Sequence, residues 1–576
     1  MSLSHSRVKI GRTFSLVDVF LLLGIAVVIY AVVAVAQEWG APYQPKTDID
    51  LSFPSLLTYS FFSLVRVVAA YFISLMFTLG YGYLAAKSRV AEPILIPLLD
   101  ILQSVPVLGF MPGLVLALVG LFPNSNLGLE LAVILMIFTG EGWNMVFSFY
   151  SSLKTVPAEL RDVGAIYRLN KIDQLRKIEL PYAANGLLWN SMLSMAGGWF
   201  FLMVIESFSL GDKDFRLAGI GSYMAVAYEQ NDMSAILAGI LTMFTLIAVV
   251  DRCIWAPLVV WSERFRMDSD PSRLQQRSVV LEWFKKSRLL IALDEYNRRL
   301  QLVAKKRATA LMKPVLKKRV KQRLRSTLPL MLKLGLGALG AVGFVWGIHT
   351  MGELLVATPA HVWLVFARDV SLTFIRVSVA VVIGSLWTIP VGVWIGTNPK
   401  WTRRMQPVVQ VVASFPAPML FPILTSALIA LGVSLELGAI VLMLFASQWY
   451  ILFNVIAGAT QIPRQVLDVA RVFRVGGLQY WRAVILPAIF PSLVNGWISA
   501  AGGAWNACIV SEIVTHGANT YVATGIGSAI TLAAQKGEFP ILAGAILVMV
   551  TTVVLLNRFF WGALYRLAET KYRFEG

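Results

Sequence analysis

The chain has 576 residues, of which 57% are hydrophobic and only 14% are charged, and its mean hydropathy is +0.70. This composition excludes an ordinary soluble domain and predicts an integral membrane protein. The net charge of +18 is concentrated in residues 261–326, which hold 19 Lys and Arg against 6 Asp and Glu. Because this excess lies beside apolar segments, it indicates a cytoplasmic segment of a membrane protein rather than a nucleic-acid site.

Apolar runs that can cross roughly 30 Å of hydrocarbon recur about a dozen times. Their length predicts helices and argues against an outer-membrane barrel. The first run follows a basic tail without a small-residue cleavage pattern, so it is expected to be a retained span and not a signal peptide. In chain order the predicted spans are 16–37, 61–86, 93–120, 129–151, 186–206, 234–259, 328–350, 371–396, 405–432, 436–459, 491–511 and 539–566.

The order of spans and loops repeats within the chain. The segment QSVPVLGFMPGL at 103–114 matches ASFPAPMLFPIL at 413–424 at an offset of 310 residues. After four additional residues in the first copy, the offset becomes 306 and aligns Glu206 with Glu512. Six spans return each half to the side where it began, so the duplication is parallel. We therefore predict an all-α polytopic fold of two parallel six-helix repeats.

The repeat and the charge distribution set the predicted domains. The positive-inside rule places both termini and the basic linker in the cytoplasm. The domains are an N-terminal tail with the first helix and an external loop (1–57), a first transmembrane domain (58–262), a basic cytoplasmic linker (263–326), a seventh helix with an external loop (327–367) and a second transmembrane domain (368–570).

A basic loop with one apolar stripe lies between the fourth and fifth predicted spans of each half. Each copy is predicted to be a short helix that starts at a proline and that a Leu-Pro pair closes before the next span. The stripes consist of Leu160, Val163, Gly164 and Tyr167 in the first copy and Val466, Val469, Ala470 and Phe473 in the second. Periodicity alone leaves two partners open: the protein's own cytoplasmic ends, or a groove on a separate cytoplasmic protein.

These loops resemble the signature loop of type I ABC importer permeases, which reads Glu-Ala-Ala, three residues, Gly, nine residues and Ile-x-Leu-Pro. The positions that match this pattern are Asp162, Val163, Gly164, Arg168, Leu180 and Pro181, and then Asp468, Val469, Ala470, Arg474, Leu486 and Pro487. Arginine stands in both copies where the family has glycine. The later segments GGWFFLMVIESF and GGAWNACIVSEIV, each followed by GIGS, resemble the nitrate, sulfonate, taurine and bicarbonate branch of that family.

The resemblance covers roughly residues 58–262 and 368–570 and implies a fused, duplicated permease with MetI-like transmembrane domains in a bacterial inner membrane. It implies that each loop is a coupling helix in a cleft of one of two cytoplasmic ATP-binding subunits, which would bind ATP and Mg. It leaves an external solute-binding protein open. The chain has no GxxxxGK[ST] motif, so no ATPase site and no cofactor are expected in it. Its scattered Cys and His residues predict no metal site.

Prolines recur in the third predicted span of each half. Proline lacks a backbone donor and clashes with the preceding turn, so these spans are predicted to break or kink. The freed backbone could line a solute pathway, although a kink that serves packing alone is the alternative. The candidate pathway residues are Gln103, Ser104, Pro106, Ser414, Pro416, Trp199, Trp505 and Asn506. The tryptophans are more often packing or belt residues than solute contacts.

Two arginines and two glutamates fall within predicted spans, where charge is costly. Arg66 and Arg376 lie early in the second span of each half, and Glu206 and Glu512 lie late in the fifth. Because these spans run in opposite directions, we predict one ion pair in each half, Arg66 with Glu206 and Arg376 with Glu512. Separate snorkelling to the outer surface is the alternative.

The predicted function is the translocation pathway of an ATP-driven importer for a small solute, an anion of the nitrate, sulfonate or bicarbonate type. The alternative is an ion-coupled secondary transporter of 6+6 architecture. The short loops after the second spans lack the Gly-rich, Asp-Arg pattern of that class. No chain of buried acids or histidines suggests a proton relay, so the sequence favours the importer.

Overall fold

The structure is a computed structural model that describes residues 16–104, 106–210, 213–265, 280–282, 287, 345, 347, 349–516 and 519–572. Two compact units separate within the chain: Met1–Ala36 with Asp270–Glu353, and Gln37–Ser269 with Leu354–Gly576. Both predicted repeats belong to the second unit. Most of the predicted span at 328–350 and most of the basic linker lie outside the described residues.

The helices of the first half begin with a long apolar segment and continue through the first repeat. They are α1 (Leu16–Gly40), α2 (Phe53–Lys87), α3 (Glu92–Ser104), α4 (Met111–Leu121), α5 (Leu127–Lys154), α6 (Ala158–Ile166), α7 (Lys171–Ile205), α8 (Ile220–Glu229) and α9 (Met233–Glu263).

From α2 onward each of these helices has a counterpart in the second half. The counterparts are α10 (Ala360–Thr397), α11 (Pro399–Ser414), α12 (Phe421–Ala430), α13 (Leu435–Thr460), α14 (Arg464–Val472), α15 (Gly477–Ser511), α16 (Ile526–Lys536) and α17 (Phe539–Ala568, whose last turns run on to Lys571).

The helical polytopic fold with two repeats is confirmed, but the described residues contain fewer spans than predicted. Eight helices are long and apolar enough to cross a membrane, or nine if the bent pair Pro399–Ser414 and Ala417–Ala430 forms one span. The predicted span at 93–120 is divided between α3 and α4, neither of which is long enough alone.

Each third span breaks at the predicted proline. In the first half α3 ends at Ser104, a 3₁₀ turn covers Val107–Gly109, and α4 begins at Met111. In the second half a 3₁₀ turn covers Ala417–Leu420, and the helices on its two sides are bent by 78°. Pro106 and Pro416 both have extended backbone, with ψ of 123° and 110°, and neither can donate the hydrogen bond that would continue the preceding helix.

The predicted end of the signature loop at Leu180-Pro181 and Leu486-Pro487 is wrong. Helix α7 already begins at Lys171 and runs through Pro181, and α15 runs through Pro487 in the same way. A turn of π-helix, Leu175–Glu179 or Trp481–Ile485, directly precedes each Leu-Pro pair. The wider turn accommodates the proline ring, which would otherwise clash with the carbonyl four residues earlier.

Two short antiparallel hairpins, which were not predicted, follow α7 in the first repeat and α15 in the second. Strands β1 (Ser207–Leu210) and β2 (Lys213–Arg216) pair in the first half. Strands β3 (Ile513–His516) and β4 (Asn519–Val522) pair in the second half. Each hairpin returns the chain to the end of the helix it left, since Leu217 N–H donates to Glu206 O and Ala523 N–H donates to Glu512 O.

The two halves pack against each other reciprocally through their broken helices. Helix α3 packs on α17, and α11 packs on α9. The turn Val107–Gly109 contacts α15, and the turn Ala417–Leu420 contacts α7. Trp199 and Trp505 are buried in one hydrophobic cluster that includes residues from both halves. The breaks therefore lie where the two halves meet.

Candidate functional site

A buried ion network joins three helices of the first half. The guanidinium of Arg66 on α2 donates through Nε and Nη2 to the two carboxylate oxygens of Glu130 on α5, each at 2.6 Å. Its Nη1 donates to Glu206 Oε1 at 2.6 Å and to Ala218 O at 2.8 Å. The side chains of Arg66, Glu130 and Glu206 are at most 1% exposed. Separate snorkelling to a surface is therefore not what this structure shows.

Glu206 is held by neutral donors as well as by the arginine. Ser63 Oγ–H donates to Glu206 Oε1 at 2.7 Å, and Gly221 N–H donates to Oε2 at 2.7 Å. Gly219 lies so close that a Cβ there would stand 2.2 Å from the carboxyl carbon of Glu206. The GIGS motif thus supplies a close backbone approach that any side chain at Gly219 would prevent.

The second half repeats this network at the equivalent positions. Arg376 Nη1 donates to Glu512 Oε1 at 2.9 Å and to Thr524 O at 2.9 Å, and its Nη2 pairs with Glu436. Thr373 takes the place of Ser63 and donates to Glu512 Oε1 at 2.7 Å. One difference separates the halves: the Glu436 side chain is 47% exposed, whereas that of Glu130 is fully buried.

The structure brings together both pairs of residues that the sequence placed in ion pairs. It adds Glu130 and Glu436, which sequence reasoning missed. Both acids could have been found from the sequence, because each lies at the start of a predicted apolar span and the repeat offset aligns one with the other. Four N–H groups of Arg66 already point at protein acceptors. The network therefore fixes helix ends rather than offering an arginine to a solute.

Asn506 bridges the two halves. Its side-chain Oδ1 accepts a hydrogen bond of 3.0 Å from Val107 N–H, 399 residues away, in the 3₁₀ turn of the other half. Its Nδ2 donates to Gly502 O on its own helix at 3.0 Å. The backbone donor that the helix break frees is thus satisfied by an amide from the opposite repeat. The equivalent position in the first half is Phe200, so this contact has no symmetric copy at that position.

A small cavity between the halves brings together two more of the predicted pathway residues. Trp199 of α7 and Ser414 of α11 contribute to its wall with Asp251, which accepts a hydrogen bond from Gln410 Nε2. Pro106 is buried beside the first break, and Pro416 is buried beside the second. Gln103 is half-buried at the end of α3. The side chain of Ser104 lies outside the described part of the chain.

The predicted apolar stripe of the signature loops divides into an inward and an outward part. Gly164 and Ala470 are buried, and a Cβ on Gly164 would stand 3.1 Å from Ile178 Cδ1 of α7. Tyr167 and Phe473 are both 75% exposed. Val163 and Val469 are also exposed, while Leu160 and Val466 are intermediate. Each short helix therefore rests on its own chain through a small residue and presents large apolar groups outward.

Arg168 and Arg474 adopt the left-handed backbone conformation, with φ of 48° and 51°. After each of them, a backbone bond of 2.9 Å closes the helix end: Leu169 N–H donates to Gly164 O, and Val475 N–H donates to Ala470 O. This is the six-to-one bond of a Schellman cap, whose left-handed residue is usually glycine. The turn of the signature loop is therefore formed here with arginine in the glycine position.

Two stretches of the chain, residues 78–254 and 388–572, match the family described as "Binding-protein-dependent transport system inner membrane component". The chain belongs to this family. The two matches fall on the two repeats, one on each, and together they take in the ion networks' glutamates, both signature loops and both short hairpins. The inner membrane component is thus duplicated within one polypeptide.

Two relatives with named functions each match one part of this chain. It is 32% identical over 182 residues to the bicarbonate transport system permease protein CmpB of Synechococcus elongatus. It is 30% identical over 182 residues to the nitrate import permease protein NrtB of Leptolyngbya laminosa. Each alignment covers 32% of this chain and 61% or 62% of the relative, so the chain spans about three fifths of these relatives' length.

A solved structure, the inward-facing MetNI methionine ABC transporter, is similar at 20% sequence identity. The similarity covers 37% of this chain and 99% of the solved chain, with a TM-score of 0.31.

The left-handed arginines give a prediction for the signature loops. A left-handed residue other than glycine costs roughly 1–2 kcal/mol, and glycine's extra freedom in the unfolded chain offsets part of that cost. Arg168→Gly with Arg474→Gly is therefore expected to leave the thermal unfolding temperature unchanged or raise it. The control, Arg161→Gly inside α6, should lower stability by about 1 kcal/mol. Equal losses at Arg168 and Arg161 would contradict the cap.

The contact between Asn506 and Val107 gives a second prediction. Asn506→Leu leaves the N–H of Val107 without an acceptor at a buried site, which costs about 1–3 kcal/mol. The control is Asn454→Leu, because Asn454 donates only to a carbonyl of its own helix, Tyr450 O. Thermal unfolding of the two variants in nanodiscs compares them. If Asn454→Leu loses as much stability as Asn506→Leu, the bridge between the halves does not stabilise the protein.

Proposed function

We propose that this chain forms the translocation pathway of an ATP-binding-cassette importer for a small anion of the nitrate, sulfonate or bicarbonate type. Membership of the inner membrane component family supports the transport role. The relatives named as bicarbonate and nitrate permeases support the class of solute. The chain contains no phosphate-binding GxxxxGK[ST] motif, so ATP and Mg are bound and ATP is hydrolysed by separate subunits.

The observation that carries this proposal is the pair of matched cytoplasmic helices. Helices α6 and α14 occupy equivalent places in the two repeats, and each exposes a large aromatic side chain at its end, Tyr167 or Phe473. Exposed apolar groups on a short helix fit a hydrophobic groove on a partner. Two such helices in one chain fit two ATP-binding subunits, one for each half, on the cytoplasmic side of an inner membrane.

The solute pathway is assigned to the meeting point of the two broken helices. Helix breaks at membrane depth are tolerated where they line a cavity or are covered by protein. Arg66 and Arg376 are engaged by carboxylates, so neither is free to bind an anion. The anion is held instead by hydroxyls, amides and backbone N–H groups, and Ser414 and Gln103 are the candidates beside the helix breaks. The termini and the linker are assigned to the cytoplasm, and an external solute-binding protein delivers the anion.

Purification with the ATP-binding subunits, followed by reconstitution in nanodiscs, tests this function. Bicarbonate, nitrate and a small sulfonate are each added with and without the periplasmic fraction, and ATP hydrolysis is measured. We expect one of these anions to stimulate hydrolysis. Uptake into vesicles that an ion gradient drives without any ATPase would overturn the proposal in favour of a secondary transporter.

A further inference from the structure

Glu141 of the first half is a fully buried acid that takes no part in the ion networks. Glu141 lies at the middle of α5, and its side chain is fully buried. Its Oε1 has no hydrogen-bond partner among the described residues, and its Oε2 lies 3.4 Å from Ser74 Oγ on α2. Sequence reasoning singled out Glu206 and Glu512 among the acids within the spans but not Glu141. An ionisable residue inside a membrane span requires a functional or chemical explanation.

No cation among the described residues compensates Glu141. The titratable group of α2 within its electrostatic range is Tyr71. Helix α4 has no titratable residue. Helix α3 brings Asp100, which is exposed, and Glu92, whose partners Tyr150 and Lys154 lie near the far end of α5. Helix α7 faces Glu141 with Gly198. A carboxylate in these surroundings would be an unpaired charge in an apolar interior, which is far more costly than a neutral acid.

The hydrogen bond to Ser74 indicates which atom holds a proton. The hydroxyl of serine has one hydrogen, and Ser74 donates it to Ala70 O at 2.8 Å. The carboxyl oxygen at 3.4 Å is a poorer acceptor, so a lone pair of Ser74 Oγ is left facing Glu141. Two groups that each present a lone pair repel, and a proton on Glu141 Oε2 turns the contact into a hydrogen bond donated to Ser74 Oγ.

The space around Glu141 excludes a larger occupant. A Cβ placed on Gly198 would stand 2.3 Å from Glu141 Oε1, so the helix backbone of α7 closes that side. A bound metal cation collects several oxygen ligands at about 2.0–2.6 Å. Ser74 Oγ is too distant to be such a ligand in this packing, whereas a proton needs no further space.

This arrangement occurs in one half only. The residues equivalent to Ser74, Glu141 and Gly198 are Gly384, Ser447 and Ala504. Ser447 donates to Met443 O of its own helix, so the second half has a satisfied neutral hydroxyl at this place. We propose that Glu141 is a proton-binding site, a carboxylic acid that is neutral in this packing of α2, α5 and α7 and donates through Oε2 to Ser74 Oγ.

The proposal concerns this chain's own chemistry and does not depend on the transported solute. Infrared spectroscopy of the full chain in nanodiscs at neutral pH tests it, because a protonated carboxyl has a carbonyl band separate from that of carboxylates. We expect the wild type to show this band and Glu141→Gln to lose it. The matched control is Glu206→Gln, which removes an arginine-paired carboxylate and should leave the band unchanged.

Two further measurements keep the test decisive. Ser74→Ala should shift the frequency of the band, since it removes the acceptor of the Glu141 hydrogen bond, and this variant does not alter the acid itself. Absence of the band from the wild type, or its persistence in Glu141→Gln, would overturn the proposal. If addition of Na⁺ or K⁺ removes the wild-type band, Glu141 binds a metal cation in place of the proton. That result would also overturn the proposal.

Discussion

Replacement of Arg66 by glutamine is expected to lower the free energy of unfolding by about 3–5 kcal/mol, the largest loss of stability that we predict. The substitution leaves Glu130 and Glu206 facing each other in a fully buried site without the cation that holds both. Removing one partner of a buried ion pair destabilises a protein more than replacing the whole pair by apolar residues, because the remaining charges stay desolvated. Thermal unfolding of the purified chain in nanodiscs measures the loss.

The second half provides the matched comparison for Arg66→Gln. Arg376→Gln removes the equivalent arginine, but the Glu436 side chain is 47% exposed and remains solvated by water. Glu512 keeps two neutral donors, as Glu206 does, so the exposure of the second acid is what distinguishes the halves. The loss at Arg376 should therefore be smaller than that at Arg66. Equal losses would show that burial of the second acid does not set the cost.

The largest effect on activity is expected from the double substitution Tyr167→Ser with Phe473→Ser. Burying a large apolar side chain contributes about 1.5–3 kcal/mol, so each change should weaken docking at its loop by roughly 10–100-fold. Because both loops are changed, the ATP-binding subunits should no longer copurify, and solute-stimulated ATP hydrolysis should be lost. Neither side chain supports the membrane domain, since both are 75% exposed.

The control for the docking prediction uses another equivalent pair of exposed apolar residues. Leu121→Ser with Leu431→Ser makes the same kind of change at the ends of α4 and α12, where the side chains are 70% and 77% exposed. This variant should retain the ATP-binding subunits. If the Tyr167 and Phe473 variant copurifies with them as well as the control does, helices α6 and α14 are not the docking surface.

The two halves share one architecture but differ in their buried polar groups, and these differences determine which half each prediction concerns. Glu141 and the fully buried Glu130 belong to the first half, whereas Asn506 belongs to the second and acts on the first. A parallel duplication begins with identical halves. Once both are in one chain, each position can change independently, so the shared pathway need not be symmetric.

Several features of this protein could be determined from the sequence because they depend on local pattern. Run length and hydropathy placed the long helices, and the recurrence of Pro106 and Pro416 placed the breaks, since proline acts on its own turn. The repeat offset aligned the two loops and the two arginine-glutamate pairs. The resemblance of the loops to a known signature indicated the family, which the matches to both repeats confirm.

The tertiary structure alone decided how these elements meet. The hydrogen bond from Val107 to Asn506 joins residues 399 apart, and the ion pair of Arg66 with Glu130 joins α2 to α5. No periodicity within one segment could reveal either contact. Arg168 adopts a left-handed turn against local preference, one turn after Gly164, which is buried beside Ile178. Sequence pattern determines which segments are helices; the pairing of buried charges and freed backbone groups depends on packing, where each must find a partner away from water.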